Sequence, residues 1–365
     1  MKDYGLYFHI PFCKSKCRYC GFYSILHNEE TEYAYINAIL REIKTYKGLS
    51  IDTIYIGGGT PSTLKLQNMK VLLEAIYENF VINLKEFTVE MNPESVTEDM
   101  LKLLKDYGVD RISLGIQSLF DHVLCLLGRV HSSFQARRAI EMILNYGLEL
   151  NSDIIYDIPT ANHDFTLNTL EILTNYPIKH ISAYNYSFDT DFLSEYKNTD
   201  AETFFNDVID FLYSRGFLQY EISNFAKNGK VSKHNTKYWK MQDYIGFGIS
   251  AHSMMNGEDA RIRWCNKGTV EEYIKGQYII EKYEVPIAEC FIEDVVFGIR
   301  MVDGVNIESL KSKYGSEVVE DFMKKIVFLK DENFICYERG CLCLTRKGQL
   351  YLDSVQQYFW DLFYS

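Results

Sequence analysis

Residues 7–24, YFHIPFCKSKCRYCGFYS, decide how this chain is read. A β-prone apolar run passes His9, and Cys13, Cys17 and Cys20 then follow three and two residues apart. A structural zinc site closes on four ligands, and a cubane iron–sulfur cluster takes one thiolate per iron. Three thiols on one short loop therefore suit three irons and leave a fourth open to a small chelating ligand. Two other assignments fit the same residues: a zinc ion completed from a distance by His9 or His27, and three unrelated buried thiols.

Outward from that loop the chain alternates strand and helix. Apolar β-rich runs fall at 6–9, 53–56, 87–91, 112–116, 154–156 and 180–186. Helical patterns fall between them at 31–47, 66–80, 98–107, 133–146 and 165–176, several ending in Tyr-Gly or Tyr-Pro. Strand cores such as TIYIG and DIIYDI are apolar without strict alternation, as parallel strands covered on both faces are. Six βα units point to an α/β fold, a partial (β/α)6 TIM-like barrel with the cysteine loop at its C-terminal mouth. A doubly wound sheet gives a similar alternation.

Beyond the sixth unit a helix is expected over 202–214 and a strand over 219–222. An irregular stretch rich in Asn, Gly, His and aromatics follows. Near the end, FICYERGCLCLT reads as two strands around a tight turn, with a helix from Lys347. Helices plus a terminal hairpin suggest a winged-helix-like module. The expected divisions are 1–225 for the barrel, 226–285 for the irregular segment and 286–365 for the small C-terminal domain. That last segment carries nine Lys/Arg against thirteen Asp/Glu, and the whole chain of 365 residues has net charge −12. Nucleic acid is therefore not an expected partner. No apolar run is long enough to span a bilayer, and the N-terminus lacks the apolar core and cleavage site of a signal peptide, so a cytoplasmic location is expected. In that compartment clustered thiols point to metal or redox chemistry before disulfides. Cys125, Cys265, Cys290, Cys336, Cys341 and Cys343 are scattered or lie in the terminal hairpin.

HIPFCKSKCRYC resembles the CxxxCxxC signature of the radical S-adenosylmethionine (SAM) superfamily. Within it, the chain resembles the family that contains the anaerobic coproporphyrinogen III oxidases and the HemW-like haem chaperones. The likeness runs through YIGGGTPS, VEMNPES, ISLGIQSL, LGRVHS, DIIYDIP, HISAYNYS, YEISNFAK, HNTKYW and GISAHS, in order. It implies a 4Fe–4S cluster on Cys13, Cys17 and Cys20, with the amino and carboxylate groups of SAM on the fourth iron. It also implies SAM contacts at Tyr7, Tyr19, Gly58, Gly59, Thr60, Glu90, Gln117, Arg129 and Asp153. The glycines offer backbone N–H groups without a Cβ in the way, and Glu90 suits the ammonium group. Read without the resemblance, Arg129 and Asp153 are ordinary barrel ion-pair partners, and the two tyrosines are core packing.

Two functions compete under this resemblance. One is a haem chaperone passing haem to an acceptor protein; the other is a radical enzyme acting on a tetrapyrrole, which needs an electron donor. The oxidase pattern has a fourth cysteine where this chain has Phe22, and it has an extension ahead of the cluster loop. HNTKYW, residues 234–239, matches the HNxxYW motif linked with haem in HemW-like proteins, and His234 is the candidate haem ligand. A buried, satisfied histidine among aromatics fits that motif equally well. Three positions depart from the family pattern: Gly21 stands where Asp is common, and Asp157 and Ser250 stand where Gly is usual.

Overall fold

The computed structural model describes residues 2–159, 161–186 and 201–364. Six strands run parallel and in sequence order: β1 Asp3–Ile10, β2 Ser50–Gly58, β3 Val81–Met91, β4 Arg111–Gln117, β5 Glu149–Tyr156 and β6 His180–Asn185. All seven residues of β4 are buried, and β1 and β2 are nearly so. This is the reason their sequences lack alternation: both faces of a parallel sheet are covered. Helices cross between successive strands. α1 Glu29–Ile43 is capped by the Asn28 side chain and buries Tyr35, Ile36, Ile39 and Ile43. α2 Leu66–Asn79, α3 Glu98–Asp106, α4 Ser133–Asn145 and α5 His163–Thr174 follow, and α4 opens with a Ser132–Gln135 capping box.

The barrel stays open. β6 is followed across the sheet by antiparallel β8 Asn224–Ala226 and then β7 Leu218–Glu221, which come after α6 Ala201–Ser214 in the chain. β1 is bordered instead by β9 Tyr244–Phe247, and the sheet continues through β10 His252–Asn256, β11 Ala260–Lys267 and β12 Ile279–Pro286. All six predicted βα strands are present, and the α/β partial barrel is the observed architecture.

The stretch expected to be irregular is regular over much of its length. It holds α7 Lys233–Trp239 and four of these strands. Its pattern misleads for two reasons. β9 is a wholly buried run of four residues, too short to show a period. β11 carries Arg261, fully buried and neutralised by Glu293 at 2.6 Å and Asp294 at 2.5 Å.

The C-terminal residues form a second core around Phe291, Val295, Phe322, Ile335, Leu342 and Phe359. Ile335–Glu338 and Cys341–Leu344 form the expected hairpin, and Val305–Asn306 adds a third strand beside the latter. The expected helix after the hairpin is present as Arg346–Leu350 and Leu352–Tyr364. Among the described residues no helix is long and apolar enough to cross a membrane.

Candidate functional site

The C-terminal ends of β1 to β6 surround a cavity of about 600 Å³. Its wall includes Cys13, Cys17, Cys20, Tyr19, Gly58, Gly59, Thr60, Glu90, Gln117, Arg129 and Asp153. Eleven of the twelve residues expected for cluster and SAM, drawn from positions 13 to 153, thus meet in one place. Tyr7 is the exception: it lies below the wall, with its hydroxyl 3.0 Å from His9 Nδ1 and its ring against Tyr55.

The cysteine loop is held from behind. Thr60 Oγ1 donates to Cys13 Sγ at 3.6 Å, and it accepts from Asn92 Nδ2 at 2.8 Å. Asn92 Oδ1 accepts from Arg129 Nη2 at 2.7 Å, and Arg129 Nη1 reaches Cys17 Sγ and the Tyr19 hydroxyl, both at 3.4 Å. An unbroken arc of hydrogen bonds therefore ties two of the three thiols together. Asn92 is its middle link, and it was missed in the sequence; the signal was the asparagine of VEMNPES, directly after the strand that carries Glu90. Arg129 also donates to the Gly115 carbonyl at 2.9 Å, so it is a planar fork wedged into the wall and not an ion-pair partner of Asp153.

His9 and His27 do not complete a zinc site with these thiols. His9 is bonded through Nδ1 to Tyr7 and through Nε2 to the Tyr23 carbonyl, and burial lowers its pKa to about 4. His27 Nε2 lies 2.5 Å from Glu32. Among the described residues no three His, Cys, Asp or Glu side chains close around a single ion. Three separated soft donors beside an open volume fit a cluster, which spreads its ligands, better than one ion. Burial raises the Cys13 and Cys20 thiols above the ordinary value, so a metal must draw off their protons on binding.

The glycine run works differently from the sequence expectation. Its N–H groups are already taken: Gly58 donates to Glu90 Oε2 at 3.1 Å, Gly59 to the Ile10 carbonyl and Thr60 to the Phe12 carbonyl, each at 2.8 Å. What the glycines supply is clearance. Gly58 has φ +111° and a Cβ there would lie 2.6 Å from the His9 ring; one at Gly59 would lie 2.8 Å from the Phe12 carbonyl oxygen. Residues 58–60 thus splice the second strand to the chain that enters the cysteine loop.

Three carboxyl groups line the cavity, those of Glu90, Glu94 and Asp153. Glu90 Oε1 accepts from the Tyr55 hydroxyl at 2.7 Å. Burial pushes its pKa up to about 7, with the charge of Asp153 adding and the Tyr55 and Gly58 hydrogen bonds opposing. Asp153 accepts from Ser113 Oγ at 2.9 Å and Asn151 Nδ2 at 2.7 Å, and burial raises it as well. Gln117 ends its strand at φ +62°, a left-handed conformation uncommon for non-glycine residues.

His234 is not in the cavity. It is wholly buried, Nδ1 lies 2.9 Å from Thr53 Oγ1, and Nε2 lies 2.8 Å from the Tyr238 hydroxyl. Both ring nitrogens are engaged, so in this arrangement neither is free to ligate haem iron, and the satisfied-histidine alternative describes its surroundings. Trp239, at the end of the same motif, has the Arg300 guanidinium over its ring at 4.4 Å. His252 borders the opposite side of β9 and does not reach the cavity wall. The two departures from glycine are both at left-handed positions, Asp157 at φ +58° and Ser250 at φ +60°. Gly21 has open space around its Cβ direction.

A model of the radical SAM superfamily matches residues 7–173, and a model of the HemN C-terminal domain matches residues 292–351. Coproporphyrinogen III oxidase (HemN) from Escherichia coli superposes with a TM-score of 0.82 over 98% of this chain and 90% of its own, at 20% identity. Fold and site together are those of a radical SAM barrel with a HemN-type C-terminal domain. Similar curated proteins include the heme chaperone HemW of Lactococcus lactis, 32% identical over 95% of this chain and 94% of that one. The heme chaperone HemW of Escherichia coli is 32% identical over 97% of each chain. The chain belongs to the HemW family of the radical SAM superfamily. Membership in that superfamily implies a 4Fe–4S cluster and SAM.

Proposed function

We propose that this protein is a haem chaperone that carries a 4Fe–4S cluster on Cys13, Cys17 and Cys20, with SAM as the exchangeable ligand of the fourth iron, and that it passes haem to an acceptor protein. The observation that carries this reading is the meeting of three thiols, the carboxyl groups of Glu90, Glu94 and Asp153, Gln117 and Arg129 around one cavity. Glu90 supports it further. A carboxyl group with its pKa lifted by burial is returned to its charged form by N–H donors, and the amino group of SAM supplies them. Asp153 suits ribose hydroxyls as an acceptor, and Tyr19 offers an aromatic face beside the loop. When bound, the cluster supplies one-electron chemistry at the sulfonium; the residues of this chain bind, orient and shield the ligand.

For haem, the rim of the cavity is a better seat than His234. Phe22 and Val130 line it with large exposed apolar surface, beside Lys14 and Lys16. That pairing fits a flat macrocycle with two carboxylates. Phe22 also stands where the oxidase pattern has its fourth cysteine, which favours carriage over coproporphyrinogen chemistry. The alternative is a radical enzyme acting on a tetrapyrrole at the same mouth.

Anaerobic reconstitution tests the cluster. Wild type is expected to take up iron and sulfide in equal amounts near four per chain, and the Cys13→Ala/Cys17→Ala/Cys20→Ala variant none. Iron and sulfide retained by that variant would end the reading. Formation of protoporphyrinogen from coproporphyrinogen III, with reductant and SAM, would favour the enzyme instead.

A further inference from the structure

HNTKYW is packed against Thr53, Tyr55 and Glu86, and Tyr55 in turn lines the cavity. We propose that His234 and Tyr55 are positioning residues of the SAM site: the His234 imidazole fixes the Tyr55 ring, and the Tyr55 hydroxyl aims the Glu90 carboxylate at the N–H donors of the ligand's amino group. This rests on the SAM reading given above.

The geometry is continuous from motif to cavity. Thr53 and Tyr55 are two residues apart on β2 and so share a face. Thr53 bonds to His234 Nδ1 at 2.9 Å, and the Tyr55 ring stacks on the imidazole at 5.4 Å between centroids and 25° between planes. The far nitrogen of His234 is held by Tyr238 at 2.8 Å, so the ring cannot swing. From Tyr55 the path continues to Glu90 at 2.7 Å, and Tyr55 and Glu90 both line the cavity. Gly57 leaves room for the arrangement: a Cβ there would lie 2.8 Å from the Glu90 carboxyl group and 2.9 Å from the Tyr55 ring. Burial, with Lys237 and Arg111 nearby, lowers the His234 pKa to about 3, so the imidazole stays neutral and can donate to one hydroxyl while accepting from the other. A glutamate with one oxygen on Gly58 and the other on an immobilised phenol has its carboxylate plane fixed before ligand arrives.

The test compares two ligands of the reconstituted, cluster-bearing protein. SAM has the amino group; 5′-methylthioadenosine has the same nucleoside and a thioether but no amino-acid part. Tyr55→Phe keeps the stacked ring and removes the hydroxyl. It is expected to weaken SAM about tenfold or more, the size of one hydrogen bond to a charged group, and to leave methylthioadenosine binding unchanged. His234→Gln is expected to weaken SAM several-fold with the same selectivity, and the double variant to lose less than the product of the two single losses. A haem titration followed at the Soret band is expected to be the same for His234→Gln and wild type. If either variant binds SAM as wild type does, or loses both ligands equally, the inference is wrong. Should His234→Gln fail to fold, Tyr55→Phe decides alone. Wild type that binds no SAM would instead overturn the proposed function itself.

Discussion

Two levels of the same six strands are built in opposite ways. At the mouth, Cys13, Cys17 and Cys20 border open volume, and Phe22 is 70% exposed beside them. One level down, polar groups close on one another. Asn151 bonds to Ser113, Asp153, Ser182 and His180, and the far side of His180 meets the Tyr220 hydroxyl. Glu86 accepts from the backbone N–H groups of Lys233 and His234 and from Ser232 Oγ, capping α7 onto the sheet. The difference teaches how to assign roles. Groups that have spent their hydrogen bonds hold the architecture, and those facing volume with capacity to spare are where a ligand belongs.

The sharpest way to break that contrast is to open the lower level. Glu86→Ala strands four donors in a buried place, the fourth being the Thr88 hydroxyl, and the unfolding free energy measured in urea is expected to fall by about 3 kcal/mol. A loss below about 0.5 kcal/mol would mean the lower level is not closed as described.

At the mouth the test is pH. Glu90 has its folded pKa raised from 4.5 to about 7. In the ligand-free protein its contribution to stability is therefore complete below 4.5 and is lost as pH rises through about 7. The ionised carboxylate is the form that accepts from the amino group's N–H donors, so SAM affinity is expected to climb about tenfold for each pH unit below the pKa and level off above it. Calorimetry in buffers of different ionisation heat should detect the released proton. Glu90→Gln should flatten the profile; a profile unchanged by that substitution would move the amino group elsewhere.

The smallest effect concerns the left-handed positions. Ser250 at φ +60° occupies a conformation that glycine takes without a steric penalty. Ser250→Gly is expected to raise stability by about 0.5–1 kcal/mol, read as a higher urea midpoint at unchanged slope. A fall of that size would show that the serine side chain contributes more than its backbone costs.

Legibility in the sequence followed the physical signals. The strands of the six βα units were readable because their apolar runs are bounded by turn residues, and the cavity residues through the family resemblance, with Gly58, Glu90 and Gln117 at or one residue from a strand end. Arg261, buried against Glu293 and Asp294, reads as a surface residue until those partners are placed. Asn92 reads as a turn residue until Arg129 and Thr60 are placed on either side of it. The glycines at 57–59 declared that something approaches closely, but not what: it is Glu90, the His9 ring and the Phe12 carbonyl.

The sequence alone determined the succession of six strand–helix units, the three-thiol loop at a strand end and the resemblance to the family, because spacing and periodicity are local properties that survive without coordinates. It could not determine which side chains consume each other's hydrogen bonds. That was decided only when residues as far apart as Thr53 and His234, or Cys17 and Arg129, were brought into contact. Hydrogen-bond capacity is a property of the pair and not of the residue, which is why one histidine motif reads as a ligand in the sequence and as a strut in the fold.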